Sequence, residues 1–206
     1  MITIIDSGIS NIGSVISAFR HLGIDTIATA DPKIVANAKA LVLPGVGAFA
    51  DGMESLRRRD LVRPILDATE AGVPILGICL GMQLLAEFSE EFGEHQGLGI
   101  ISGGVMPLRP AKDGERVPNI GWCDVNLNSQ SPLFKGMNSS EIFYFAHSYY
   151  LNCSDPCHVI ATIPFGNHRV TAAVAHRNIF GVQFHPEKSQ DAGLQLLDNF
   201  CNLLKA

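Results

Sequence analysis

The stretch Pro74-Ile-Leu-Gly-Ile-Cys79-Leu-Gly-Met-Gln83 constrains the fold more than any other part of the chain. An apolar run enters a cysteine with glycine two positions before and two after it, and the helix-compatible Met-Gln-Leu-Leu-Ala-Glu follows. This pattern predicts a buried strand, a sharp turn and a helix, the glycines removing Cβ atoms where strand and helix approach closely. A cysteine at the first turn of a helix meets free N–H groups and the positive end of the helix dipole, which favour the nucleophilic thiolate. Read alone, a small buried cysteine at a strand end satisfies the same pattern.

Far downstream, Asn178-Ile-Phe-Gly-Val-Gln-Phe184 reads as another short buried strand and runs into His185-Pro-Glu187. Histidine is a base that titrates near neutral pH. Pro186 fixes the backbone so that His185 and Glu187, two apart in extended geometry, project from the same side. A carboxylate can then hold one ring nitrogen while the other faces a nucleophile, which is the logic of a nucleophile, a base and an orienter. His-Pro-Glu by itself reads first as a turn between strand and helix; paired with an elbow cysteine it points to chemistry.

Around these motifs the first half alternates. Strands are expected at Ile2–Ile5, Asp25–Ala30, Ala40–Leu43 and Val73–Ile78, and helices at Asn11–Leu22, Met53–Arg59 and Leu61–Ala71. Such alternation implies right-handed crossovers and an α/β fold with a mostly parallel central sheet and flanking helices. After Gly97 short strand-like runs take over, at Ile100–Leu108, Cys123–Leu127, Ile142–Ala146, Val159–Ile163 and Thr171–Ala175. They predict an antiparallel extension of the sheet, followed by a last helix over Ala192–Leu204. With 206 residues, 47% of them apolar, one domain over residues 1–206 is expected.

Several classes are disfavoured. A net charge of −5 with no basic run argues against nucleic acid. No apolar run approaches the ~20 residues that cross a bilayer, and the N-terminus lacks the charged segment of a signal peptide. Five scattered cysteines give no disulfide framework and suit a reducing cytoplasm. Cys153-Ser-Asp-Pro-Cys157-His158 lacks a second Cys/His pair at zinc spacing and reads as a loop between strands, so no metal or organic cofactor is expected.

Gly77-Ile-Cys79-Leu-Gly-Met-Gln83 and Val182-Gln-Phe-His185-Pro-Glu187 resemble the two signatures of the class I, triad-type glutamine amidotransferases, whose fold is flavodoxin-like. Ile5–Asn11, Leu43–Phe49, Gly121-Trp122 and Phe145–Tyr149 extend the resemblance over nearly the whole chain, and it is closer to the glutaminase subunits of imidazole glycerol phosphate synthase. The resemblance implies hydrolysis of L-glutamine to glutamate and ammonia, with Cys79 as nucleophile, His185 as acid and base, and Glu187 as orienter. It implies backbone oxyanion donors at Leu80 and at Val46 or Gly47, the second forming only with a partner bound. Glutamine contacts are implied at Gly47, Gln83, Glu91, Ser148 and Tyr149, although Glu90 and Glu91 by themselves read as a solvated acidic pair. The implied partner is a (β/α)8-barrel cyclase subunit that receives the ammonia in histidine biosynthesis, with Asn11, Trp122, Tyr144 and Lys188 as interface candidates. Asp6-Ser-Gly-Ile-Ser-Asn11 and Val117–Cys123 depart from the usual family pattern in partner-facing segments. A paralogous glutaminase serving a surface-sugar amidation enzyme is therefore one alternative, and a catalytically silent regulatory subunit another.

Overall fold

The computed structural model describes residues 1–111 and 114–204. The N-terminal half contains β1 (Ile2–Ile5), α1 (Ile12–His21), β2 (Thr26–Thr29), α2 (Pro32–Ala36), β3 (Leu41–Gly45), α3 (Phe49–Arg58), α4 (Val62–Glu70), β4 (Ile75–Cys79) and α5 (Leu80–Leu84). Eight further short strands follow: β5 (Ala86–Ser89), β6 (His95–Gln96), β7 (Ile101–Pro107), β8 (Asn119–Leu127), β9 (Ser140–His147), β10 (Tyr149–Cys153), β11 (Val159–Phe165) and β12 (His168–His176). Then come β13 (Ile179–Val182) and α6 (Gln190–Leu203).

Nine strands form the main sheet in the order β2-β1-β3-β4-β13-β12-β11-β8-β9. The first five are parallel to one another and the last four join antiparallel, which is the predicted α/β sheet with its extension. Alternate residues of the parallel strands feed two cores. Ile2, Ile4, Leu76 and Ile78 pack with α1 and α6 on one face, while Ile5, Leu41, Leu43 and Ile75 pack with α3, α4 and α5 on the other. Strands buried on both faces read as continuous apolar runs, as these do.

A second sheet of four strands, β10-β7-β5-β6, was not anticipated. It takes up β7, which was expected in the extension of the main sheet, and β5, whose sequence was expected to continue the helix after Cys79. That helix stops after five residues, because Leu98 N–H donates to the Leu84 carbonyl and Ile100 and Ile101 N–H both donate to Leu85. Gly99 N–H likewise takes the Ala86 carbonyl. Leu, Ala and Glu favour helix, but a tertiary partner for the backbone outweighs a local preference of tenths of a kcal/mol per residue.

The close approach of α5 to the sheet depends on missing Cβ atoms. A Cβ on Gly77 would lie 2.7 Å from the Gly81 carbonyl oxygen, and one on Gly81 would run into the Leu43 carbonyl of β3. Gly81→Ala is therefore expected to destabilise the fold by about 1–3 kcal/mol, as overpacking against rigid backbone does. A denaturant midpoint equal to wild type would show that β3 and α5 can part without cost.

Candidate active site

Register assembles the site. Gly45 at the end of β3 lies opposite Cys79 at the end of β4, and Val182 of β13 lies opposite Ile78. Three parallel strands thus deliver Val46-Gly47, Cys79 and Gln183–His185 to one edge, the carboxyl ends where α/β sheets hold their ligands. Cys79 sits at φ 55° and ψ −110°, a left-handed conformation that is strained for any residue with a Cβ. The turn lifts its side chain to a cleft of about 340 Å³.

His185 Nδ1–H donates to Glu187 Oε1 at 2.8 Å, and both side chains are nearly fully buried. Glu187 Oε2 is buried too and has no hydrogen-bond partner among the described residues, so the imidazole is this carboxylate's one partner there. Burial alone would push His185 down. A hydrogen bond with Cys79, that with Glu187, and the charges of both groups overcome burial and raise it to about 9. The ring is therefore held as imidazolium beside the sulfur and poised to give up a proton.

The other implied residues gather around the cleft with different commitments. Leu80 follows Cys79 as the first residue of α5, so its N–H is a helix-start donor. Val46 lines the cleft, but its N–H donates to the Ile9 carbonyl at 2.9 Å. In this conformation that hydrogen is therefore already engaged. Gly47 adopts φ +96°, open to glycine and strained for other residues.

Gln83 was expected to turn its amide to the cleft. It does line it, but its Nε2 donates to the Tyr149 carbonyl and to Gln183 Oε1, both at 2.9 Å, which leaves its oxygen for a ligand. The solvated acidic pair dissolves in the same way: Glu90 is exposed, while Glu91 is buried and accepts the Phe49 N–H at the start of α3 at 2.6 Å. Helix α3 has no side-chain cap of its own, so Glu91 both complements that helix end and lines the cleft. Ser148 and Tyr149 line it as well. The Ser148 carbonyl accepts from Leu108 N–H, and the Tyr149 carbonyl accepts twice, from Gln83 and from His147 Nδ1.

Two residues were missed. His147 lines the cleft with Nδ1–H bound to Tyr149 and Nε2 facing the Asn119 amide at 3.2 Å. Burial drives it down to about 4, and the nearby His185 adds to that, so it is neutral where His185 is charged. Gln183 is wholly buried with its Nε2 3.7 Å from Cys79 Sγ. Its signal in the sequence is a lone amide inside an apolar strand, a position that demands a buried partner.

Of the interface candidates, three meet. Trp122 is half exposed and packs edge-on to Tyr144 at 5.8 Å, and Lys188 Nζ lies 5.7 Å from the Tyr144 ring. Tyr144 in turn lies 6.3 Å from the His185 ring. Asn11 stands apart, exposed at the start of α1.

The model of the class-I glutamine amidotransferases matches residues 3–203. The chain belongs to that family. It is 46% identical over 202 residues to "Imidazole glycerol phosphate synthase subunit HisH" of Sulfurimonas denitrificans, covering 97% of each chain. It is 48% identical over 204 residues to the protein of the same name from Syntrophotalea carbinolica, covering 97% of this chain and 98% of that one. In fold it is similar to the solved structure of PurLQS from Thermotoga maritima, with a TM-score of 0.76, 19% identity and 98% of each chain covered. Glutamine amidotransferase activity comes with that family membership.

The two histidines set opposite pH limits. Between pH 6.5 and about 9 the folded protein keeps a proton on His185 that the unfolded chain has released, so stability falls as pH rises. Between 6.5 and about 4 the unfolded chain binds a proton on residue 147 that the folded protein refuses, so stability falls as pH drops. Their combined contribution is expected to peak near pH 6.5 in a thermal-melt series. Cys79→Ala should draw the upper limb to lower pH. An upper limb unmoved by that change would remove Cys79 from the causes that charge His185.

Proposed function

We propose that this chain is the glutaminase subunit of an imidazole glycerol phosphate synthase, hydrolysing L-glutamine and passing ammonia to a cyclase subunit. The observation that carries the reading is the elbow cysteine beside a carboxylate-held imidazolium, in a chain matched end to end by relatives of that name. Cys79 thiolate attacks the side-chain amide carbon and the carbonyl oxygen becomes an oxyanion. As the C–N bond breaks, His185 gives its proton to the departing nitrogen, leaving a γ-glutamyl thioester and ammonia. The neutral ring then takes a proton from water, which attacks the thioester, and proton return to Cys79 releases glutamate. Glu187 orients the ring and stabilises its charge throughout.

Leu80 N–H is the first oxyanion donor in this reading. The second comes from the Val46-Gly47 peptide once Val46 leaves the Ile9 carbonyl. Ile9 stands two residues before Asn11, so a partner seated on that segment acts on the bond that holds Val46. Glutamine's amino-acid end sits among Gly47, Gln83, Glu91, Ser148 and Tyr149.

The partner is a (β/α)8-barrel cyclase, and its seat is the outward face of β8 and β9. Ile120, Trp122 and Ile142 are each half exposed or more there, beside the cleft mouth that Lys188 helps to line. An exposed apolar patch at a reaction site marks an association surface. The site binds no metal or organic cofactor in this scheme. The protein works as one domain in the cytoplasm, consistent with no disulfide among the described cysteines and with no helix among the described residues long and apolar enough to cross a membrane.

Glutamine-dependent ammonia release, measured alone and with a histidine-pathway cyclase plus its ribonucleotide substrate, is expected to rise strongly with the partner. Stimulation by no cyclase would move the partner elsewhere. Cys79→Ala is expected to lose a thousandfold or more of the activity, as removal of a covalent nucleophile does, with wild-type rates sinking the mechanism. Trp122→Ala is expected to weaken cyclase binding about tenfold or more in titration, the order of an interface anchor; unchanged affinity would take Trp122 off the seat.

A further inference from the structure

The family reading leaves Gln183 without a task, yet it is the side-chain amide aimed at the reacting sulfur. Its surroundings fix which way round that amide stands. The Tyr149 carbonyl can only accept, so Gln83 must present Nε2 to it. The same nitrogen then supplies its second hydrogen to Gln183, which must answer with Oε1. Gln183 is thereby compelled to present Nε2–H, a donor, to Cys79 Sγ at 3.7 Å. Reversing either amide would set two acceptors or two donors face to face between side chains that are themselves buried, at a cost of the order of a lost buried hydrogen bond.

We propose that Gln183 is a catalytic residue of this site: its side-chain N–H holds the Cys79 sulfur as a thiolate, with polarity set by the relay from Tyr149 through Gln83. The proposal rests on Cys79 being the nucleophile. A hydrogen bond to sulfur is weak when the sulfur is a neutral thiol and much stronger when it is charged, so a fixed donor favours the charged form. The neutral thiol has a poorer alternative, the Ala146 carbonyl at 4.0 Å. No other side-chain partner of the Gln183 amide is seen among the described residues. Gln183 is wholly buried, and its own N–H is tied to the Ala172 carbonyl of β12 at 2.8 Å. The relay starts in the 147–149 segment, where glutamine's amino-acid end is proposed to sit. Displacement of Tyr149 by the substrate therefore reaches the donor on the nucleophile through two hydrogen bonds.

The test compares iodoacetamide alkylation of Cys79 across pH, without glutamine, in wild type and in Gln183→Met, Gln183→Glu and Gln83→Met. Gln183→Met keeps length and removes the donor; alkylation at neutral pH is expected to slow about tenfold, the worth of one charge-assisted hydrogen bond, and its pH profile to move upward. Gln183→Glu, which puts an acceptor against the sulfur, should slow it further. Gln83→Met should act in the same direction and more weakly, by releasing the polarity of Gln183. The His185 ring, followed by NMR, should titrate lower in each variant, because the charged sulfur is among the groups that raise it. A residue that merely fills space would move neither profile. Circular dichroism checks folding, and if Gln183→Met fails to fold, the other two variants carry the comparison. Wild-type profiles in folded variants would overturn the relay while leaving a Cys79-dependent glutaminase intact. A wild-type protein that hydrolyses no glutamine even with a cyclase would overturn the function and leave the alkylation result standing.

Discussion

The constraint on which the rest depends is the parallel register of β3, β4 and β13 at their carboxyl ends. It sets Gly45 against Cys79 and Val182 against Ile78, so three separate segments of sequence arrive within one cleft. The register can hold only because α5 lies against the strands without Cβ atoms at Gly77 and Gly81. The left-handed backbone at Cys79 is the local cost of that geometry, and the two buried cores on either face of the sheet over-determine it.

Within the cleft, burial and hydrogen-bond partners together apportion charge. His147 and His185 are both buried imidazoles a short distance apart. Burial keeps the first neutral despite its backbone partner; at the second a carboxylate and a sulfur overcome burial and hold the ring charged. Neutrality at the first spares the second a like charge. Two histidines in similar surroundings thus take opposite states, which pairs a fixed hydrogen-bonding wall with a mobile proton.

The proposed partner face and the base are also joined through the backbone. His185 N–H donates to the Tyr144 carbonyl, Tyr144 N–H donates to Ser189 Oγ, and that hydroxyl donates to the His185 carbonyl. This closed strap holds edge strand β9 to the loop that carries the imidazole. The ring of Tyr144 meets Trp122 and Lys188 on the outside while its main chain holds His185 on the inside. Pressure on the outer face of β8 and β9 is therefore applied one residue away from the base, and the Ile9–Val46 bond offers a second handle on the far side of the cleft.

Sequence alone determined the order of strands and helices in the first half apart from the short α2, the elbow at Cys79 and the pairing of His185 with Glu187. Each of these is local: apolar runs bounded by glycine, and two side chains two apart in sequence, although the backbone that joins them is a 3-10 turn over Pro186–Lys188 and not the extended segment expected. It did not reveal the second sheet, because residues 84–86 have helical preferences and lose them only when the chain from Leu98 to Ile101 supplies backbone donors. Nor did it separate Glu91 from Glu90, since only packing buries one beneath the start of α3. The engagement of Val46 with Ile9 and the orientation of Gln183 are set by partners remote in the chain, and the neutrality of His147 by the burial that packing imposes. A residue's chemical type is written in the sequence, but its protonation state and the direction of its hydrogen bonds belong to whatever the fold brings beside it.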